Sequence, residues 1–263
     1  MTPTFEPLIA KKILNVIEPI LQSRLAKLEI LEQIGSTNQY LLDHAKTGPA
    51  GWVCLAEQQT AGRGRLGRPW VSAYGSSILC SLLWRFPKSL SDVSSLSIAV
   101  GVILVQALKK FGITEGIQLK WPNDILCCGR KLAGILLERR GENIVIGFGL
   151  NVCLPQSLAA GSIDLSEMVG RPLLERSYLT GLLLNELLRG LLIYQTEGLA
   201  AFMDIWREHD FLAGKEVTVH MPEKVLLGIA QGINEQGELL VVDHTQALHC
   251  FCYGDVSVRQ TLP

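Results

Sequence analysis

The sequence predicts an α/β chain of the α+β kind, a mixed and largely antiparallel sheet with flanking helices followed by a small all-β unit. Three observations carry this. Strand-like and helix-like periodicities alternate up to Phe111; four strand-like runs then follow one another from Ile117 to Val152; and from Gly214 only short strands remain.

Taken in order, residues 6 to 26 hold apolar side chains at Ile9, Ile13, Val16, Ile17, Ile20 and Leu21, so the chain is expected to open on one amphipathic helix. Leu28 to Ile34 reads as a strand. Ser36-Thr37-Asn38-Gln39 then offers a helix cap, and Tyr40-Leu41-Leu42 begins an apolar helical face. Trp52 to Gln58 and Ser77 to Phe86 read as strands around a Gly- and Arg-rich loop from Gln59 to Trp70. Asp92 to Phe111 has the length and period of a helix. Ile117 to Lys120, Ile125 to Cys128, Lys131 to Arg139 and Ile144 to Val152 form a meander, with turn signals at Gly129-Arg130 and Gly141-Glu142. Pro172 to Gln195 and Gly198 to His209 read as helices covering one face of the sheet, with Pro172 in a first turn and the Leu-rich stretch Leu182 to Leu192 as core. Strands are expected at Glu216 to His220, Val225 to Ile233, Glu238 to Val242, Ala247 to Tyr253 and Val256 to Arg259. Two domains follow, 1–213 and 214–263, the second near the lower size limit for independent stability.

A chain of 263 residues with 48% apolar and 19% charged residues and a net charge of −1 is a globular composition, without the positive excess that draws nucleic acid. Apolar runs such as Ile98 to Leu108 are broken by Gly101 and Gln106 and fall short of the roughly 20 residues of a membrane helix. The N-terminus lacks an export signal, so a cytoplasmic address is expected. Seven cysteines, an odd number mostly in apolar runs (Cys54, Cys80, Cys153), predict reduced thiols. The close pairs Cys127-Cys128 and Cys250-Phe251-Cys252 lack a second pair or a histidine cluster, so neither zinc nor haem is expected. The five histidines are dispersed, with no serine or cysteine elbow to pair with, and predict surface or barrel positions.

Chemistry concentrates in three segments. In Gly62-Arg63-Gly64-Arg65-Leu66-Gly67-Arg68, glycines let the backbone approach a ligand and arginines offer planar, permanent charge to phosphate or carboxylate. The segment reads either as a lid over a pocket or as a flexible basic surface loop or RNA contact. Lys120-Trp121-Pro122-Asn123-Asp124 gathers a cation, an amide and a carboxylate at a strand end, suited to phosphate and a hard cation such as Mg²⁺, or to an ordinary turn. Arg130-Lys131-Leu132-Ala133-Gly134-Ile135 leads Lys131 toward small residues that admit a ligand to the backbone.

Together with Gly35-Ser36-Thr37-Asn38, Glu57-Gln58-Gln59-Thr60-Ala61 and Gly147-Phe148-Gly149-Leu150-Asn151-Val152, these segments give the chain, in order and spacing, a resemblance to the biotin protein ligases. The resemblance implies a catalytic domain like that of class II aminoacyl-tRNA synthetases and a C-terminal barrel of Src-homology-3 type. It implies an enzyme that makes biotinyl-5'-AMP from biotin and ATP with Mg²⁺, then transfers biotin to a lysine of a carboxyl carrier protein. By the same resemblance Ser36, Thr37, Asn38, Gln59, Gly62, Arg63, Gly64, Arg65, Lys131 and Gly134 would bind biotin, with Ser36, Thr37, Gln59 and the backbone around Arg63 on its ureido ring and Arg63, Arg65, Arg68 and Lys131 facing its carboxylate and the phosphates of ATP. Arg63, Arg65 and Lys131 would be the catalytic cations, and Arg65, Arg68, Trp70, Lys120, Asn123 and Asn151 would hold the nucleotide, with Asp124 on Mg²⁺. Trp70 would help close the lid.

Some members carry an N-terminal winged helix-turn-helix; here the first motif begins at Gly35, so no DNA binding is expected. Residues 153–171 contain no tryptophan where the family often caps adenine with one, and Gly35 stands where many members have aspartate. Glu57 and Glu138 read equally as partners for arginine and as solvated strand ends. Two other readings remain: a lipoate or octanoate ligase, which the polar Ser36, Thr37 and Gln59 argue against, and a non-enzymatic biotin sensor or nucleic-acid-binding module, which would need a basic surface. Monomer and homodimer are both compatible with the sequence.

Overall fold

A computed structural model describes residues 5–87, 95–173, 175–221, 224–252 and 257–260. The chain does not open on one helix. It makes two short ones, α1 (Ala10–Leu14) and α2 (Pro19–Gln22), because Pro19 forces Glu18 into an extended conformation (ψ 139°) and then starts a new first turn. Then come β1 (Lys27–Ile34), α3 (Thr37–His44), β2 (Trp52–Gln59), β3 (Ser77–Arg85), α4 (Leu96–Phe111), β4 (Ile117–Lys120), β5 (Asp124–Cys127), β6 (Arg130–Arg140) and β7 (Asn143–Asn151). The expected helix start at Asp92 lies outside the described residues. These seven strands form one sheet, ordered β1-β2-β3-β7-β6-β5-β4, parallel only between β1 and β2.

Period-two alternation divides the sheet into two faces. Val53 and Leu55 of β2 join the main core under α4, while Trp52 and Cys54 turn to the opposite face, where Leu41 and Ala45 of α3 and its C-cap pack. The main core is sealed by α6 (Arg176–Glu197), which follows α5 (Leu165–Val169), and by α7 (Met203–His209). Pro172 does not start α6; it lies in the connection, four residues before Arg176. Arg176 is fully buried beside the buried Glu57, Nη1 2.8 Å from Oε2, and donates to the carbonyls of Glu6 and Ser77. Glu57 is therefore a buried ion-pair partner rather than a solvated strand end, and removing one member of such a pair costs about 3–5 kcal/mol.

Beyond Gly214 a second, antiparallel sheet is ordered β11-β10-β9-β8-β12, from β8 (Glu216–His220), β9 (Val225–Ile233), β10 (Leu239–Asp243), β11 (Leu248–Phe251) and β12 (Ser257–Gln260). The expected strand ends at Tyr253 and Val256 lie outside the described residues. The indole N–H of Trp121 donates to the Gly237 carbonyl at 3.0 Å, joining the two sheets.

Candidate functional site

The N-terminus of α3, the loop after β2, and the middle of β3, β6 and β7 enclose a cavity of about 190 Å³ on the α3 face of the large sheet. Its walls include Ser36, Thr37, Asn38, Gln59, Arg63, Gly64, Arg65, Arg68, Trp70, Asn123, Asp124, Lys131 and Gly134. Of the residues singled out from sequence, Gly62, Lys120 and Asn151 do not line it. Gly62 shapes the loop instead: a Cβ there would stand 2.5 Å from the Trp70 carbonyl oxygen. Lys120 faces Asp124 across the β4–β5 pair. Asn151 spends its side-chain N–H groups on the carbonyls of Lys131 (3.2 Å) and Ile163 (3.1 Å).

One end of the cavity is a buried polar row. Ser36 caps α3 by accepting from Gln39 N–H, which orients the Thr37 and Asn38 side chains toward β3. Gln59 Oε1 accepts from the Thr37 backbone N–H at 2.7 Å and lies 2.8 Å from Thr37 Oγ1; Thr37 Oγ1 lies 2.7 Å from Ser81 Oγ, and Ser81 Oγ 2.6 Å from Asn38 Oδ1. Backbone partners fix both amides, since Asn38 Nδ2 donates to the Leu136 carbonyl at 3.1 Å. Both ends of the row are thus acceptors, and two hydroxyl protons serve three contacts. The row is one donor short, and an N–H brought to Asn38 Oδ1 would let Ser81 donate to Thr37 and Thr37 to Gln59.

The other end is charged and more open. Lys131 Nζ lies 2.7 Å from Asp124 Oδ1, with side chains 37% and 26% exposed. Arg65 Nη1 donates to Asn123 Oδ1 at 3.3 Å, and Asn123 is itself locked to β6 through the Ile135 carbonyl. Arg63 Nη2 donates to Glu138, whose Oε2 also accepts from Asn38. The loop bearing the arginines closes on itself through Gly64 N–H to Arg68 O (2.7 Å) and Trp70 N–H to Gly62 O (2.9 Å), with Leu66 in the left-handed region at φ 55°. Among the described residues no group of three or more metal-ligating side chains gathers.

Trp70 packs over the paired glycines Gly134 of β6 and Gly149 of β7. A Cβ on Gly149 would stand 2.5 Å from its ring and one on Gly134 3.0 Å, so these glycines make its berth. Its indole N–H is buried without a partner among the described residues. With Lys131 it separates the first cavity from a second of about 200 Å³, walled by Val71, Asn151, Leu154, Leu158 and Ser162.

Sequence reasoning missed Ser81, left Glu138 open between an arginine partner and a solvated strand end, and gave no role of their own to Gly147 and Gly149 of the last motif. Ser81 sits in an apolar strand, and its role comes from contacts with residues 43 and 44 positions away. The two glycines of β7 were visible as small residues in a strand. A Cβ on Gly147 would fall 1.9 Å from Asn38 Oδ1.

Residues 30–151 match the biotin/lipoate A/B protein ligase family, and residues 213–259 match the biotin protein ligase C-terminal domain. The chain is 35% identical to the bifunctional ligase/repressor BirA of Escherichia coli, over 88% of this chain and 73% of that one. It is 34% identical to the biotin–[acetyl-CoA-carboxylase] ligase of Mycobacterium tuberculosis, over 81% and 82% respectively. Among solved structures, the biotin protein ligase of Aquifex aeolicus in complex with biotin and ATP superposes with a TM-score of 0.79 at 25% identity, covering 90% of this chain and all of that one.

Proposed function

The chain belongs to the biotin protein ligase family, and from that premise we propose that it is an ATP-dependent ligase that converts biotin to biotinyl-5'-AMP and transfers it to a lysine of a biotin carboxyl carrier protein. The observation that carries the choice of acid is the polar row that lacks one donor. The ureido ring of biotin brings two N–H groups and a carbonyl; the lipoyl and octanoyl chains bring neither. A buried acceptor left unpaired costs about 1–3 kcal/mol, so the row discriminates against the apolar acids.

In this reading the apolar floor of Leu79 and Phe148 takes the valeryl chain and directs its carboxylate toward Arg63, Arg65, Arg68 and Lys131. Bringing a carboxylate to the α-phosphate joins two anions, so the site must neutralise charge and hold geometry. Lys131 leaves Asp124 to follow the developing charge. For this the nucleotide occupies the second cavity, with Leu154, Leu158 and Val71 as apolar walls for the base. Asp124 would hold Mg²⁺ once Lys131 has left it; a single carboxylate fits an ion that arrives with the triphosphate and keeps its waters. Mg²⁺ supplies charge neutralisation on the phosphates. The arginine loop excludes water from the mixed anhydride until the carrier lysine attacks its carbonyl and AMP leaves. On this account 1–213 is the catalytic domain and 214–263 a small accessory one.

The test is transfer of radiolabelled biotin, with ATP and Mg²⁺, to a carboxyl-carrier domain with and without its target lysine. Label on the lysine-bearing carrier alone supports the reading; no biotin-dependent transfer overturns it.

A further inference from the structure

The β5–β6 hairpin turns on two adjacent thiols that the site does not use. Cys127 ends β5 opposite Arg130, and Cys128 and Gly129 occupy the two turn positions at φ 50° and 73°. This primed turn favours Asn, Asp or Gly at its first position, so cysteine sits there against backbone preference. The two Sγ atoms are 3.8 Å apart, with Cys128 exposed and Cys127 buried beneath it. Gly116 leaves room beside them: a Cβ there would stand 3.1 Å from Cys127 Sγ and 3.8 Å from Cys128 Sγ.

We propose that Cys127 and Cys128 form a vicinal-dithiol site for a thiophilic electrophile with two leaving groups, the class being monosubstituted trivalent arsenicals. Each thiol condenses with one As–OH group. Two S–H and two As–O bonds break, two As–S bonds form, and two waters leave with no change of oxidation state. An arsenic inserted between the two sulfurs leaves them well apart, whereas a disulfide would require them to close to about 2 Å. Disulfide exchange also runs through thiolate, and burial, followed by the hydrogen bond to Cys128, pushes the Cys127 thiol up to about 11.

Position gives the site a consequence. Arg130 reaches the Ser162 carbonyl and Glu167, while Lys131 exchanges backbone hydrogen bonds with Gly161 and Ile163. A bridged turn therefore acts on the Lys131 end of the cavity and on the wall of the second one.

The test is incubation of the full chain with phenylarsonous acid, read by intact mass and thiol titration. One phenylarsenic per chain is expected, consuming two thiols together, surviving excess monothiol and removed by dimercaptopropanol. Cys128→Ser and Cys127→Ser each lose this retention, and the Cys250→Ser/Cys252→Ser double variant keeps it. Release by monothiol, retention in Cys128→Ser, or loss in the double variant overturns the site. These readouts stand apart from the ligase reading. Biotin-dependent pyrophosphate release, which rests on it, should fall more than tenfold on labelling in the parent and stay unchanged in exposed Cys128→Ser; full activity of the labelled parent overturns the transmission to Lys131.

Discussion

The two ends of the cavity are built by opposite means. The polar end draws Thr37 and Asn38 from a capped helix, Gln59 and Ser81 from central strands, and fixes the amides with backbone partners. The charged end draws Arg63, Arg65 and Arg68 from a loop and Lys131 from the start of β6, all partly or largely exposed. Recognition of a neutral head needs atoms fixed to fractions of an ångström, which regular elements supply. Neutralising a charge that grows during reaction needs cations that can follow it, which a glycine-bearing loop supplies.

The sharpest way to break this contrast is at the charged end. Lys131→Ala should lower biotin-dependent pyrophosphate release by about 10²- to 10³-fold, the scale of one lost transition-state donor, with the thermal unfolding midpoint unchanged. Full retained activity would remove Lys131 from the reaction. At the polar end, Thr37→Val removes the middle of the row and should raise KM for biotin by roughly tenfold or more, from about 1–3 kcal/mol of unpaired acceptor, while kcat moves little. An equal fall in kcat would place Thr37 in the chemistry instead. Gly149→Ala drives a methyl into the Trp70 ring and should cost about 1–3 kcal/mol, as overpacking does, measured by denaturant unfolding. Arg65→Ala should let the adenylate escape, seen as AMP and free biotin without carrier; unchanged retention of the intermediate would remove Arg65 from the lid.

The smallest expected effect lies at the hairpin. The Arg130 guanidinium beside Glu167 holds that carboxyl below its ordinary value of 4.5. Because the folded value is depressed, the contact contributes above 4.5 and is lost as pH falls through the lower folded value. Glu167→Gln should therefore be slightly less stable than the parent at neutral pH and converge with it in acid; a constant difference would mean the charge is not its cause.

The sequence reading succeeded where local pattern and structure coincide. The Ser36 cap, the meander with its Gly129 and Gly141 turns, and the all-β stretch beyond Gly214 are set within a few residues, and short-range signals report them. It failed at Pro19, where one ring outweighs a helical spacing of apolar residues, and at Pro172, whose helix begins four residues later. The polar row was legible in three of its four members: Thr37, Asn38 and Gln59 lie in motifs, but Ser81 joins them only through sheet register. Glu57 and Glu138 looked alike as strand-end carboxylates; one is buried on Arg176 and the other holds Arg63 and Asn38, a difference that depends on which helix or loop crosses above. Gly134 was read as room for a ligand; it lines the cavity and also gives Trp70 part of its berth.

The central claim is that the donor-deficient row selects the acid and the cations activate it. Its most direct test is ATP- and Mg²⁺-dependent pyrophosphate release with biotin, lipoate and octanoate offered in parallel to the parent chain. The account predicts release with biotin and at least a hundredfold less with either of the others; comparable release with lipoate or octanoate would contradict it.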